Sequence, residues 1–564
     1  MSADDGSPWA EPTTAEEDAA ILVEEAVVSL TGGDPAAGEV APRGPSLGDS
    51  AARGTGLTLG AQLIRTFFQF GSLIVLARIL TPQDFGVVAS VTAVVGIADI
   101  LRDFGLSAAS IQAKTLTDDE RTNLFWANVG LGILCALITV AAAPLIERIY
   151  GDAALGAIVA ALAVVFVISG INTQFNAELT RSLRFPALVI ADLCGQALGI
   201  VLAIVLAVAG AGYWAIIGQQ IATAAIIMII NVAMCQWRPG LPRRDVSIRR
   251  FFLFGGGVFG SQVIAYLTKN IDNVAIGARW GAATLGLYSR ANQLLMTPLN
   301  QINAPLTRVA LPILSRVQDD DAVFARYLKK AQLVGCYVTA TVFALCAALA
   351  GPIVYVLFGP RWHAVAPIFA VLSVGGVFRS IEQISYWIFL ARGKTGAQFR
   401  LYLYSRPVLI AMILAGLPWG ALGVAVGCSV GYILYWAVSL WQVGRATGVD
   451  SGALFRNGLR AILLVSAPAG VAAFVASRAV DVPVLQLVLG VLAAAAYIGV
   501  VVLLSSAVRA DIGTLVHFAR RTFGRKKSPA PQAKSDGSGP RAGAHRRIPE
   551  PAATSARRSG GSDR

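Results

Sequence analysis

A few ionisable residues interrupt the long apolar runs of this chain, and they are where chemistry could reside. Arg65, Asp192, Lys269, Asp272, Arg290, Arg379, Glu382 and Arg406 each stand inside a run that is otherwise mostly apolar. A charge in hydrocarbon is costly and persists only where it meets a partner, a cavity or a ligand, so each is a candidate functional group. Cations outnumber acids in this set. A guanidinium offers a planar fork of donors that matches phosphate oxygens, so the surplus suits an anionic cargo bearing phosphate or pyrophosphate. On this ground Arg65, Lys269, Arg290 and Arg379 are the candidate cargo-binding residues. Asp272, Glu382 and Asp192 are candidates for coupling to a proton or a sodium ion. A structural reading stands beside the functional one. Lys269 with Asp272, and Arg379 with Glu382, are three residues apart on one helix face and can satisfy each other as ion pairs, whereas Arg65 and Arg290 have no such neighbour. Asp99, Arg102 and Asp103 cluster near the end of the second apolar run, where they read equally as a gate or as a solvated helix end.

Other chemistries find little support. Gly393-Lys394-Thr395 imitates the end of a phosphate-binding loop, but Ile388 stands where its first glycine belongs. The three histidines, His363, His517 and His545, fall in a turn and in the C-terminal tail, so no catalytic centre, metal site or cofactor is expected. All six cysteines lie in apolar runs without ligand spacing and read as small core residues.

The elements that must hold the charged residues follow from composition. Of 564 residues, 55% are hydrophobic and only 14% charged, against about 25% charged in soluble domains. Apolar runs of some twenty residues match the thickness of a bilayer core, so an all-α polytopic membrane protein is expected. About 14 transmembrane helices fit between residues 57 and 505, with spans 7, 8, 9 and 13 at about 252–277, 284–311, 331–357 and 461–477. Connections after even-numbered spans, up to the twelfth, carry 19 Lys and Arg, and those after odd-numbered spans carry five. By the positive-inside rule both termini are then cytoplasmic. The net charge of +13 is explained by these loops and by the tail, without nucleic acid. The odd-side turns, such as Gly210–Gly212 and Phe358–His363, are expected to be short and exterior, with no room for a catalytic domain.

A repeat at a separation of about 200 to 208 residues pairs Ala77–Gly86 with Gly277–Gly286, Pro144 and Ile149–Gly151 with Pro352 and Leu357–Gly359, and Gly210–Gly212 with Pro418–Gly420. It implies two six-helix lobes of the same orientation around a central cavity, plus two extra C-terminal helices, an arrangement suited to alternating access. The expected divisions are an acidic leader at 1–50, an N-lobe at 51–235, a basic cytoplasmic linker at 236–251, a C-lobe at 252–442, spans 13 and 14 within 443–510, and a basic cytoplasmic tail at 511–564. Leader and tail have the composition of disordered segments.

Three stretches carry a family resemblance: Leu76–Gly86 (LARILTPQDFG); Asn270–Asn273 (NIDN) with Leu285–Ala291 (LGLYSRA) and Leu294–Pro298; and Phe358–Trp362 (FGPRW). In these the chain resembles the polysaccharide-biosynthesis flippases of the multidrug, oligosaccharidyl-lipid and polysaccharide exporter superfamily. The resemblance implies translocation of an undecaprenyl-pyrophosphate-linked oligosaccharide from the cytoplasmic to the outer leaflet of a bacterial inner membrane, for exopolysaccharide, capsule, lipopolysaccharide or O-antigen synthesis. Implied partners are this lipid-linked oligosaccharide, membrane lipids, a proton or sodium counter-ion, and a polysaccharide polymerase with its assembly proteins. A cation-coupled multidrug exporter of the same superfamily and a membrane polysaccharide polymerase or ligase are the alternatives. The first would favour acidic groups for cationic drugs, and the second would call for a substantial exterior loop.

Overall fold

The computed structural model describes residues 47–513 apart from 105, 114, 115 and 153. The expected acidic leader and nearly all of the basic tail lie outside the described residues. Among the described residues every regular element is helical, as the composition requires. The helices are α1 Leu47–Ile79, α2 Pro82–Asp103, the short α3 Leu106–Gln112, α4 Asp118–Tyr150, α5 Ala154–Arg181, α6 Phe185–Val208, α7 Trp214–Met234 and α8 Arg249–Arg316. After these come α9 Asp321–Val334, α10 Ala340–Ala348, α11 Ala350–Phe358, α12 Val365–Ala391, α13 Thr395–Gly416, α14 Gly420–Thr447, α15 Ser451–Ala461, α16 Ala467–Ser477 and α17 Pro483–Leu504. Nine helical segments among the described residues are long and apolar enough to cross a membrane. One of them, Thr395–Thr447, contains both α13 and α14. The protein is therefore a multi-pass α-helical membrane protein.

Local sequence sets the helix ends. Thr117 caps α4, its hydroxyl accepting from the Glu120 amide while Glu120 accepts in return from the Thr117 amide, which satisfies two otherwise orphaned donors. At the other end Gly151 takes a left-handed conformation with φ 70°, an ordinary helix stop. Thr81-Pro82-Gln83-Asp84 opens α2 in the same reciprocal way. The Asp84 carboxylate accepts from the amide and hydroxyl of Thr81 at 2.9 and 2.7 Å, and Pro82 occupies the first helical position.

One expected division holds, and the expected spans 9 and 13 differ in form. Spans 7 and 8 are two helical arms, as expected, carried in α8 and separated by the turn at Gly281, whose φ of 79° lies outside helical geometry. One glycine outside helical geometry is enough to redirect the chain, because it carries no Cβ to clash there. Helical backbone continues through Pro298 and Pro305 to Pro312. Span 9, expected as one helix, is α9, a π-turn at Gly335–Thr339, α10 and α11. Span 13 likewise begins ten residues early in the amphipathic α15 and passes a π-turn at Ile462–Ser466 before α16.

Packing is closest between α2 and α8, α4 and α5, α6 and α7, α12 and α14, α13 and α14, α8 and α12, and α16 and α17. The last two helices lean on α10 and α11. The loop between α7 and α8 folds onto the N-terminal part of α4: Asn123 donates to the carbonyls of Arg243 and Val246, and the Trp126 indole donates to that of Gly240.

Candidate functional site

The three stretches that carry the resemblance meet at one junction. Gly86 of α2 lies where an added Cβ would be 1.6 Å from the Ala282 carbonyl oxygen, and one on Gly286 of α8 would be 1.9 Å from that of Pro82. The two backbones touch there, and only glycine permits such an approach. Phe85 is buried beside them, edge-on to Trp362 with ring centroids 5.5 Å apart. The Trp362 indole donates 2.7 Å to the Ala77 carbonyl, and Arg78 reaches the Val356 carbonyl at 2.6 Å. Trp362 is thus a buried fastener between the α1–α2 turn and the α11–α12 turn, whereas the sequence places it in an accessible exterior turn. His363, next to it, is exposed.

Arg290 belongs to this junction. Its guanidinium lies over the Phe85 ring, 4.4 Å from the centroid, a favourable contact for a desolvated cation. Its Nε is buried without a hydrogen-bond partner. Two turns from Gly281 on the same bent helix, Tyr288 donates 2.7 Å to Oδ2 of Asp272, whose Oδ1 accepts from the Asn273 amide at 2.8 Å. Asp272 is only 7% exposed. The break at Gly281 folds the second half of α8 back so that residues 16 apart in sequence share a hydrogen bond. Asn270 donates to the Tyr266 carbonyl, and the Tyr266 hydroxyl reaches the Thr92 carbonyl of α2 at 3.0 Å.

A second group of charges lies across α12, α13 and α14. Arg379 stacks over Tyr432 at 4.8 Å, and Arg406 lies between Tyr402 and Tyr435 at 4.9 and 5.2 Å. Arg379 acts electrostatically on both Asp272 and Glu382, and Arg406 acts on Glu382. Arg379 and Glu382 do not form the ion pair that their spacing allows: among the described residues neither has a charged partner within 4.0 Å. Aromatic faces hold both arginines instead. The tyrosines escape a reading of charges alone, although Tyr432 and Tyr435 are three apart, and Tyr402 and Arg406 four apart, on their helix faces.

The remaining candidates lie elsewhere. Arg65 is not unpaired: its Nη1 is 4.0 Å from Oδ2 of Asp192 across α1 and α6, with both side chains 45% exposed. This removes one cation and one acid from the set and leaves the cation surplus as it was. Arg102 pairs with Asp99 at 3.0 Å and donates 2.7 Å to the Thr173 hydroxyl, tying α2 to α5. The side chains of Lys269 and Asp103 lie outside the described residues. Arg290 and Arg379 thus occupy different surroundings, and Arg65 a third.

A bundle of bilayer-length helices, with charges held between them and compact connecting turns, defines a polytopic α-helical membrane protein. Residues 75–367 match the model of the polysaccharide biosynthesis protein family, and the chain belongs to that family. It is 26% identical over 367 residues to the lipopolysaccharide biosynthesis protein WzxC of Escherichia coli (strain K12), covering 64% of this chain and 73% of that protein. It is 26% identical over 384 residues to the teichuronic acid biosynthesis protein TuaB of Bacillus subtilis (strain 168), covering 67% and 78%. The succinoglycan biosynthesis transport protein ExoT of Rhizobium meliloti (strain 1021) is 26% identical over 312 residues, covering 54% and 62%. In fold the chain is similar to a solved structure described as the lipid II flippase MurJ in an inward closed conformation. The TM-score is 0.62 at 12% identity, covering 79% of this chain and 98% of that one.

Proposed function

We propose that this protein is a flippase that moves an undecaprenyl-pyrophosphate-linked oligosaccharide from the cytoplasmic to the outer leaflet, for assembly of a cell-surface polysaccharide. The observation that carries the reading is family membership joined to charge held between helices: the relatives are named for lipopolysaccharide, teichuronic acid and succinoglycan synthesis, and Arg290 is a half-buried cation whose buried Nε has no hydrogen-bond partner. A pyrophosphate cannot cross hydrocarbon unaided. Cations between the helices give its oxygens partners on the way, while the prenyl tail stays in lipid. Arg290 and Arg379 are the leading cargo contacts, with Lys269 and Arg65 as further candidates. Asp272, Glu382 and Asp192 are the candidate sites for a driving proton or sodium ion, and Asp99, Arg102 and Asp103 the candidate gate.

Transport proceeds by relative movement of the 51–235 and 252–442 lobes. The junction of Phe85, Gly86, Gly286 and Trp362 closes the outer end in the conformation described. The protein sits in the bacterial inner membrane with both termini cytoplasmic, a reading supported by the loop bias of 19 basic residues against five. Delivery to a polysaccharide polymerase follows at the outer leaflet. The test is replacement of Arg290 and of Arg379 by Gln in cells that depend on this protein. Surface polysaccharide should be lost while the protein still reaches the membrane; normal polymer from both variants would defeat the cargo assignment.

A further inference from the structure

We propose that a recess between α13 and α14, formed around Arg400 and Arg445, binds the phosphate headgroup of an anionic phospholipid. The recess has a volume of about 450 Å³ and is lined by Arg400, Leu403, Tyr404, Gln442, Arg445 and Ala446. This is within the range of small-molecule sites, roughly 300–1,000 Å³, and suits a glycerophosphate headgroup. Among the described residues neither arginine takes part in an ion pair. Arg445 has only the face of Trp441, 5.6 Å from its ring centroid. Two guanidinium groups, a phenol and an amide therefore border one recess that holds no carboxylate.

The location selects a lipid. On α14 the exposed residues Leu422, Val426, Val430, Leu434 and Trp441 make a stripe along the helix that ends at Arg445. The opposite face buries Val424, Ser439 and Val443 in the bundle. On α13, Leu403 and Val408 are likewise exposed while Leu401, Ser405 and Leu409 are buried. Two apolar stripes thus run out over the bundle surface, that of α14 finishing at Trp441 and then Arg445 and that of α13 at Tyr404 and then Arg400. This is the order acyl chain, interface and headgroup that a bilayer presents. The recess opens at the end of α13 and α14 where Arg392 and Lys394 stand in the α12–α13 connection and Arg456 on α15, and where anionic headgroups are most strongly attracted. Tyr435, which contacts Arg406, is buried on the other side of α14, so the recess is separate from the charged cluster within the bundle. The cargo's own pyrophosphate carries the same chemistry, but the outward aspect of the recess favours the bulk phospholipid.

The experiment uses the full-length protein in nanodiscs of phosphatidylcholine into which phosphatidylglycerol is titrated. Quenching of tryptophan fluorescence by brominated phosphatidylglycerol, corrected with a Trp441→Phe control, reports occupancy. Phosphatidylglycerol should quench preferentially over brominated phosphatidylcholine. At about 1 kcal/mol for each arginine, the Arg400→Gln/Arg445→Gln double variant should bind about 30-fold more weakly. Arg244→Gln, which changes an exposed arginine of the α7–α8 loop, should leave binding unchanged, and Arg400→Lys/Arg445→Lys should retain most of it. Equal quenching by the two lipids, or an unaltered double variant, would overturn the proposal. Displacement of phosphatidylglycerol by an equal amount of undecaprenyl pyrophosphate would overturn it in favour of a cargo site; persistence of the signal supports the phospholipid. None of these readouts involves translocation, so their outcome is independent of the flippase reading.

Discussion

Gly286→Ala isolates the contact between the two halves of the chain. An added Cβ would lie 1.9 Å from the Pro82 carbonyl oxygen and 2.9 Å from its carbon. Ordinary contact begins near 3.4 Å, so α2 and α8 must separate locally by roughly 1.5 Å. Both obstructing atoms are backbone, so no side chain can turn away. Forcing an extra carbon into packed structure costs about 1–3 kcal/mol, which displaces a two-state equilibrium by roughly 5- to 150-fold. The gain in helix propensity from alanine is common to the open and closed conformations and cancels between them. In a background of purified protein bearing only Ser289→Cys, one turn along α8, the rate of maleimide modification should rise by a factor in that range. Gly130→Ala provides the control, since nothing lies within 4 Å of its Cβ position; it should leave the rate unchanged and add about 0.5–1 kcal/mol of helix stability. A Gly286→Ala rate within twofold of the parent would refute the idea that this glycine contact holds the junction shut.

Topology is checked by impermeant thiol labelling of intact cells: cysteines at Arg361 and Trp419 should react from outside and one at Arg244 should not, the reverse pattern contradicting the assigned orientation. Tyr288→Phe removes the hydroxyl that donates to Asp272, and transport by this variant should fall at least tenfold while membrane level is kept; full activity would show that the pair serves packing alone. Asp511 accepts from the Tyr337 hydroxyl at 2.9 Å and pairs with Arg460, so Asp511→Asn should lower stability by about 1–3 kcal/mol in thermal unfolding. If adding Arg460→Gln to that variant lowers stability by as much as it does alone, the pair is not coupled.

Legibility in the sequence followed the reach of each physical signal. Hydrophobic run length sufficed for the fold class, because a bilayer imposes a fixed length on every helix. The α2 start was visible in Thr81-Pro82-Gln83-Asp84, since capping chemistry is local. Buried charge pointed to Asp272, Arg290, Arg379 and Glu382 without revealing their partners. Those partners are long-range: Phe85 is about 200 residues from Arg290, and Tyr432 and Tyr435 lie on a helix different from the one that bears Arg379 and Glu382. Spacing along one helix left open whether Arg379 would pair with Glu382 or face a cargo, and only the packing of α12 on α14 places its guanidinium over Tyr432. Arg65 and Asp192 had no sequence relation to link them, and only the packing of α1 on α6 brings them within reach. Trp362 was placed in a turn, which is correct, but the turn's position against Ala77 buries its ring.

The leaflet that holds the lipid-linked intermediate when the protein is absent tests the flippase assignment most directly. Cells lacking this gene and related flippase genes are labelled in their sugar precursors, and the intermediates are probed with an external, impermeant sugar-binding protein. Oligosaccharide repeat units complete on their lipid carrier should accumulate out of the probe's reach, and restoring the gene should expose them. Repeat units freely accessible from outside in the deleted strain would contradict the assignment, placing the block at a later joining step; intact surface polymer with raised drug sensitivity would instead assign the protein to drug export.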